Sequence, residues 1–274
     1  MVNLPSIAIL GTGSMGGAIL SGLLAPGVTV DGGIRVTNRS ERKAAALRSP
    51  SVTSLAIEKD RGANLAAVAG ARVVLVAVKP HMVPDLLREI SGAIDPGAIV
   101  VSVAAGVRID TMQAIVDVPV LRAMPNTPAT VGRAVTGVSA GDRASDADVA
   151  VVTALFGTVG SVLEVPESRI DALSAISGSG PAYVFLLIEE LERTAFKLGF
   201  TRQESRLMVE NTFLGASELL AASGETPAEL RRRVTSPKGT TERAIEVLEE
   251  AGLSALFDRA TDAAIRRAGE LAAS

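Results

Sequence analysis

The sequence has no cysteine and no tryptophan, and only one histidine and one tyrosine among 274 residues. Without cysteine there is no disulfide framework, no thiolate metal site and no cysteine nucleophile. With His81 as the single imidazole, a histidine-based metal cluster is impossible, and a Ser-His-Asp triad is a long shot. No metal is expected. A dominant charge is lacking too. Lys and Arg number 27 against 30 Asp and Glu, a net charge of −3, so nothing draws the chain generally to nucleic acid or to an anionic membrane. Long apolar runs are scarce. Residues 7–10 are too few for a signal segment and follow no basic region. Residues 183–188 run into Glu189 and Glu190, so no bilayer span is expected. The expectation is a cytoplasmic protein with neither a nucleic-acid nor a membrane partner.

Apolar residues make up 47% of the chain and aromatics only 3%. The core must therefore come from Ala, Val, Leu and Ile, which suits parallel strands covered by helices. The length allows one or two domains. Residues 7–10 read as a buried strand, 15–24 as a helix ending near Pro26 and Gly27, 34–37 as a strand and 41–48 as a helix. The β-branched run 73–78 reads as a strand buried on both faces, 83–90 as a helix, and 99–103, 120–123 and 135–139 as further strands. This alternation predicts a mostly parallel sheet. From Ile170 onward no strand is evident. Helical stretches cover 181–198, 202–222, 228–234, 241–250 and 253–271, with Gly199, Gly224 and Gly252 at expected helix stops. Tyr183, Phe185, Leu186, Leu187, Ile188 and Leu191 exceed one apolar stripe. Such a helix is buried on most sides, in a core or a subunit interface.

Gly11-Thr12-Gly13-Ser14-Met15-Gly16 fits G-x-G-x-x-G between a strand and a helix. The first glycine permits the turn, the second lets backbone approach a pyrophosphate, and the third lets helix and strand pack closely. The helix amides and dipole then receive the phosphates. The fold class is thus an α/β Rossmann-type N-terminal domain, residues 1–163, followed by an all-α C-terminal domain, residues 164–274. The second strand ends in Asn38-Arg39-Ser40, where NAD sites usually place a carboxylate. A guanidinium beside small donors can hold a 2′-phosphate. NADPH is therefore the expected cofactor and NADH the alternative; Arg39 as a solvated loop residue is the competing reading. Ala77-Val78-Lys79-Pro80 and Val103-Ala104-Ala105 end two further strands, where ligands bind in such sheets.

Three segments are richer in Gly, Pro, Ser and Thr than simple connections need: Met124-Pro125-Asn126-Thr127-Pro128, Ser177-Gly178-Ser179-Gly180-Pro181 and Ser236-Pro237-Lys238-Gly239-Thr240-Thr241. The third leads into a helix, and its amides and hydroxyls would make a carboxylate receiver. An ordinary helix entry is the alternative. Taken in order along the whole chain, these motifs resemble the pyrroline-5-carboxylate reductase family. The resemblance implies a helical dimerisation domain, dimers assembled into larger rings such as a decamer, and NADPH-dependent reduction of 1-pyrroline-5-carboxylate, a small-molecule substrate, to L-proline. The active site would lie between the cofactor domain of one subunit and helices of the dimer.

By the same resemblance, the residues Gly11, Thr12, Gly13, Ser14, Met15 and Gly16 would hold the pyrophosphate, and Asn38, Arg39 and Ser40 the adenosine phosphate. Asn64 matches a cofactor-contacting Asn of the family. Ala77, Val78, Lys79, Pro80, Val103, Ala104 and Ala105 would line the nicotinamide half. Ser236, Gly239, Thr240 and Thr241 would hold substrate, Thr241 as the catalytic residue, and Glu167 matches a position that touches product in some relatives. Lys238 departs from the family's usual glycine. A lysine does not take positive φ cheaply, so the loop is expected to differ there, to turn the side chain to solvent, or to add a cation near the substrate carboxylate.

A cyclic imine is basic enough to carry a proton near neutral pH, so hydride reduction needs alignment more than a strong acid. Of the two unique residues, His81 is weighed as a proton donor and Tyr183 as a packing residue. The rival enzyme reading is a 3-hydroxyacid dehydrogenase, which needs a catalytic Lys with an Asn one turn later; Lys197 is followed by Thr201 instead. The rival non-enzyme reading is an NADPH-binding regulator, which has no use for Ser236 to Thr241.

Overall fold

The β-branched runs of the first half form one eight-stranded sheet. The computed structural model describes residues 1–272. Its strands are β1 (Val2–Leu4), β2 (Ile7–Leu10), β3 (Val28–Val30), β4 (Ile34–Asn38), β5 (Val52–Ala56), β6 (Val73–Val76), β7 (Ile99–Ser102), β8 (Val120–Met124), β9 (Ala134–Ala140) and β10 (Gly160–Glu164). Six helices are threaded between them: α1 (Ser14–Leu23), α2 (Glu41–Leu47), α3 (Ala63–Val68), α4 (Val83–Ile90), α5 (Ile109–Gln113) and α6 (Asp146–Gly157). The sheet order is β10-β9-β8-β7-β6-β2-β4-β5, with β8 and β9 antiparallel and the other neighbours parallel. β1 and β3 pair separately.

Every residue of β2, β6 and β7 is buried, because helices cover both faces of the sheet. Alternate side chains divide between two cores. Ile7, Ile9, Val73, Leu75, Ile99 and Val101 pack with Ile19 and Leu23 of α1 and Phe156 of α6. Ala8, Leu10, Val74, Val76 and Val100 pack with α3, α4 and α5 through Val68, Leu87 and Met112. Full burial of each large aliphatic side chain contributes roughly 1.5–3 kcal/mol. The strands predicted from the sequence are all present. β1, β3, β5 and β10 were not foreseen, nor were α3, α5 and α6. β5 and β10 are edge strands, and Thr53-Ser54 and Gly160-Ser161 break the apolar run that marks a central strand.

Compactness divides the chain into two units, one of Met1–Ser179 with the last residues from Ala264, the other Gly180–Ala263. The first unit continues past β10. A 3-10 turn (Glu167–Arg169), α7 (Ile170–Leu173) and a π-helical turn (Ser174–Gly178) follow, with Ile170 and Ala175 buried. The helices after it are α8 (Gly180–Lys197), α9 (Arg202–Ser223), α10 (Pro227–Arg233), α11 (Thr240–Glu250) and α12 (Leu253–Ala272). Thr201 and Glu204 form a reciprocal capping box at the start of α9. Gly199, Gly224 and Gly252, predicted as helix stops, all take positive φ.

The apolar residues of α8 are not covered within the chain. Val184, Phe185, Leu186, Leu187 and Leu191 are 44–61% exposed, so of the two readings of this helix the interface remains. One expectation is corrected: by length and composition alone, the helical stretch Glu167–Lys197 is long and apolar enough to cross a bilayer. Glu189 and Glu190 lie too near its end to interrupt it. Ile170 and Ala175, near its start, are buried in protein.

A buried carboxylate ties α6 to the sheet. Asp148 accepts from Ser145 N at 2.9 Å and Oγ at 2.7 Å, closing a capping box, and from Arg72 Nη2 at 2.7 Å, just before β6. Burial pushes its carboxyl up, but the hydrogen bonds from Ser145 and Arg72 outweigh it and hold the carboxyl below its ordinary value. A carboxyl lowered on folding stabilises the fold above its unfolded pKa, about 3.9, and that share is lost as pH falls through the folded value. The stability difference between wild type and Asp148→Asn should therefore be full at pH 6 and shrink below about pH 4. Urea unfolding across that range measures it, and a pH-independent difference would contradict the assignment.

Candidate active site

The carboxyl ends of four adjacent strands, β7, β6, β2 and β4, carry most of the first-half residues predicted to bind a ligand. After β2 the chain turns at Gly11, whose φ is 95°, and enters α1 with Gly13 as N-cap. Gly11 N donates to Thr37 O at 3.2 Å, and Ala77 N to Leu10 O at 2.9 Å, which joins the turn to both neighbouring strand ends. A Cβ on Gly16 would stand 2.2 Å from the Gly11 carbonyl oxygen, so the turn closes only over a glycine. A Cβ on Gly13 would meet nothing within 4 Å. Gly11 and Gly16 are thus used by the protein's own packing, and Gly13 leaves open space at the start of α1. Thr12, Ser14 and Met15 complete the turn, and no side chain caps α1.

At the end of β4, Asn38 is buried and accepts a short hydrogen bond from Thr12 Oγ1. Its side chain belongs to the turn's support rather than to open surface. Arg39 is exposed, Ser40 half-buried, and Arg39 joins no ion pair among the described residues. Beside it, hydrogen bonds from Arg48 at 2.6 and 2.9 Å hold the Glu41 carboxyl below its ordinary value. After β6, Ala77 and Val78 are half-buried while Lys79 and Pro80 are exposed. After β7, Val103 is half-buried, Ala104 buried and Ala105 exposed. Asn64 lies in the first turn of α3, is 5% exposed, and donates through Nδ2 to Glu89 Oε1 at 3.1 Å.

Sequence reasoning missed the role of Asn126. Pro181 has no N–H to return to the carbonyl of Ser177, four residues back. Asn126 Nδ2 donates to that carbonyl at 2.8 Å, and Asn126 Oδ1 accepts from Val135 N at 2.9 Å. The π-helical turn is closed by Ser179 N donating to Ser174 O at 2.9 Å. Two Gly- and Pro-rich motifs more than forty residues apart are therefore partners. A lone Asn between two prolines, paired with a Gly-Pro helix interruption, was the available signal.

Glu167 is also engaged. Its Oε1 accepts from Ile109 N at 2.8 Å and lies 3.5 Å from Arg122 Nη1. Arg122, 4% exposed on β8, also bonds Asp171 at 3.0 Å. This ion-paired cluster anchors the start of the helical stretch on the sheet.

In the second unit, Ser236, Gly239, Thr240 and Thr241 come together in one turn and the first helical residues of α11. Gly239 N donates to Ser236 O at 2.9 Å. Gly239 is the N-cap, and no side chain caps the helix. Thr240 and Thr241 are exposed. The opening amides of α11 thus face outward beside two hydroxyls, an arrangement suited to a carboxylate. Lys238 takes φ 61°, the single positive φ outside glycine among the described residues. The lysine is held in the left-handed region, a cost of roughly 1–2 kcal/mol. Lys238 N donates to Glu242 Oε2 at 2.8 Å, and the residue is exposed. His81 is exposed in a 3-10 turn, and Tyr183 packs its ring 6.2 Å from that of Phe257, as a packing residue does.

With this geometry in hand, residues 167–271 match the family model described as pyrroline-5-carboxylate reductase dimerisation. Residues 6–106 match that described as NADP oxidoreductase, coenzyme F420-dependent. Over 271 residues the chain is 40% identical to a pyrroline-5-carboxylate reductase of Corynebacterium melassecola, covering 97% of this chain and 98% of that one. A pyrroline-5-carboxylate reductase structure from Coxiella burnetii, 36% identical, aligns over 97% of both chains with a TM-score of 0.89. The Plasmodium falciparum pyrroline carboxylate reductase, solved with NADP bound, aligns over 97% of this chain and 98% of that one with a TM-score of 0.80. At 24% identity that last likeness bears on the fold alone.

Gly13 and Gly16 should separate by stability. Gly16→Ala must displace backbone and is expected to cost about 2–3 kcal/mol, whereas Gly13→Ala should cost about 1 kcal/mol or less. Denaturant midpoints measure both, and equal losses would contradict the packing role of Gly16.

Proposed function

The chain belongs to the pyrroline-5-carboxylate reductase family, and from that premise we propose how its residues divide the NADPH-dependent reduction of 1-pyrroline-5-carboxylate to L-proline. Both rival readings, a 3-hydroxyacid dehydrogenase and a non-catalytic regulator, give way to that membership. Residues 167–271 are a dimerisation domain, so the working unit is a homodimer, and the exposed apolar residues of α8 supply surface for it. Assembly of dimers into a larger ring, such as a decamer, is part of the proposal. It is supported by further exposed apolar residues on α9 and α12, among them Leu207, Leu214, Leu256 and Phe257. In the same reading the enzyme works in the cytoplasm, residues 1–163 bind cofactor, and residues 164–274 dimerise and bind substrate.

The observation that carries the substrate half is the uncapped start of α11 with Thr240 and Thr241 beside it. There the amides and the helix dipole would hold the substrate carboxylate, aided by Ser236, Gly239 and Thr240. Thr241 Oγ would accept from the N–H of the protonated ring nitrogen and so keep the carbon–nitrogen double bond in its electrophilic form. Holding the carboxylate selects the substrate, and holding the nitrogen orients the ring. Glu167, already positioned by Ile109 N and Arg122, completes the proposed substrate set.

The cofactor half fits a dinucleotide. Gly13 leaves room that a Cβ would fill, and the amides of α1 have no capping side chain. Gly11, Thr12, Gly13, Ser14, Met15 and Gly16 would hold the pyrophosphate. Asn38, Arg39 and Ser40 would hold the 2′-phosphate end, and Ala77 to Pro80 with Val103 to Ala105 the nicotinamide end. The cofactor, when bound, supplies the hydride. NADH lacks the phosphate that Arg39 addresses and is the second choice.

Two variants test this reading in an assay of NADPH oxidation with 1-pyrroline-5-carboxylate. Thr241→Ala should lower kcat/KM about 10- to 100-fold, as expected for losing a hydrogen bond to a charged group. Near-wild-type turnover would remove Thr241 from the chemistry. Arg39→Ala should reduce the ratio of kcat/KM with NADPH to that with NADH by about tenfold; an unchanged ratio would return Arg39 to the role of a solvated loop residue.

A further inference from the structure

The residues that end β4, Asn38-Arg39-Ser40, include no carboxylate, but the fold brings one there from the next strand. β4 and β5 run side by side, with Asn38 opposite Ala56, and the chain leaving β5 stays attached to the chain leaving β4. Ile57 N donates to Asn38 O at 2.9 Å, and Glu58 N donates to Arg39 O at 3.1 Å. The Glu58 side chain turns back across this junction, where its Oε1 accepts from Glu41 N at 2.7 Å. Glu41 follows Ser40 directly, so the Glu58 carboxylate is fastened beside Arg39 and Ser40. It is exposed and joins no ion pair among the described residues. Arg48 does not neutralise it, because both Nη groups of Arg48 are bonded to Glu41, at 2.6 and 2.9 Å. A carboxylate at this strand end accepts from the 2′-hydroxyl of a bound dinucleotide, and it repels a phosphate attached at the same carbon. The exposed guanidinium of Arg39 acts in the opposite sense. One strand end thus carries a cation supplied by β4 and a carboxylate supplied by the loop after β5.

We infer that Glu58 is a specificity-determining residue for the cofactor: its carboxylate favours the 2′-hydroxyl of NADH and disfavours the 2′-phosphate of NADPH. Arg39 sets the preference for NADPH, Glu58 limits it, and NADH stays usable. The inference rests on the cofactor reading proposed above. It is tested without turnover by calorimetry of the full-length dimer with 2′-phospho-ADP-ribose and with ADP-ribose, which differ only in the 2′-phosphate. Glu58→Gln removes the charge and keeps an acceptor for Glu41 N, so the loop stays attached. This variant should bind 2′-phospho-ADP-ribose about 5- to 10-fold more tightly than wild type, and ADP-ribose no more tightly. Glu58→Ala should shift the two affinities in the same directions. In the NADPH and NADH oxidation assays, the ratio of kcat/KM with NADPH to that with NADH should rise about 5- to 10-fold in Glu58→Gln, the reverse of the change expected for Arg39→Ala. An unchanged ratio of the two affinities in Glu58→Gln would overturn the inference. So would equal losses for both fragments, which would leave Glu58 with the task of fastening the loop alone. A wild-type protein that binds neither fragment and oxidises neither cofactor would overturn the cofactor reading itself, and this inference with it.

Discussion

A parallel strand covered on both faces has no place for a polar side chain along its length. That constraint shapes the first unit. β2, β6 and β7 are buried at every position, so polar chemistry is displaced to their carboxyl ends, where the chain leaves the sheet. Because neighbouring strands run in the same direction, those ends fall on one edge. The Gly-rich turn, Asn38 to Ser40, Ala77 to Pro80 and Val103 to Ala105 share that edge for this reason, although they span more than ninety residues of sequence. Two polar side chains that remain buried are held by partners: Asp148 by Ser145 and Arg72, and Asn38 by Thr12.

The same demand for satisfied polar groups explains motifs that do not touch a ligand edge. A proline inside a helical stretch removes a donor, and here the chain answers with a side-chain amide from a distant loop. Asn126 bonds both Ser177 O and Val135 N. Arg122 does similar service for charge, with Glu167 and Asp171 around it. The beginning of the helical stretch is therefore attached to the sheet by hydrogen bonds and ion pairs as well as by the buried Ile170.

The second unit obeys the opposite economy. Its helices are capped by local signals at Thr201, Thr226 and Gly224, but within one chain few of their apolar residues are buried. A helical unit that exposes Phe185, Leu186 and Leu187 cannot rest on its own core. Membership of a family with a dimerisation domain at residues 167–271 supplies the missing cover. The uncapped start of α11 belongs to the same unit, so the proposed substrate turn is carried by helices that a second copy stabilises.

By itself the sequence determined the central strands and the long helices of the second half, the parallel sheet, the glycine turn and the family. These depend on local period, on steric freedom at glycine and on motif order, all of which are written in neighbouring residues. It also exposed the two choices open to α8, a core or an interface, without deciding between them. Only the tertiary structure decided that the helix is uncovered within the chain, that Lys238 is held at positive φ and that Asn126 serves Ser177. It alone revealed the edge strands β5 and β10 and the pairing of Asn64 with Glu89. Each of these turns on which groups meet across long separations in the chain, and burial and hydrogen-bond geometry are set by such meetings. No local pattern records them.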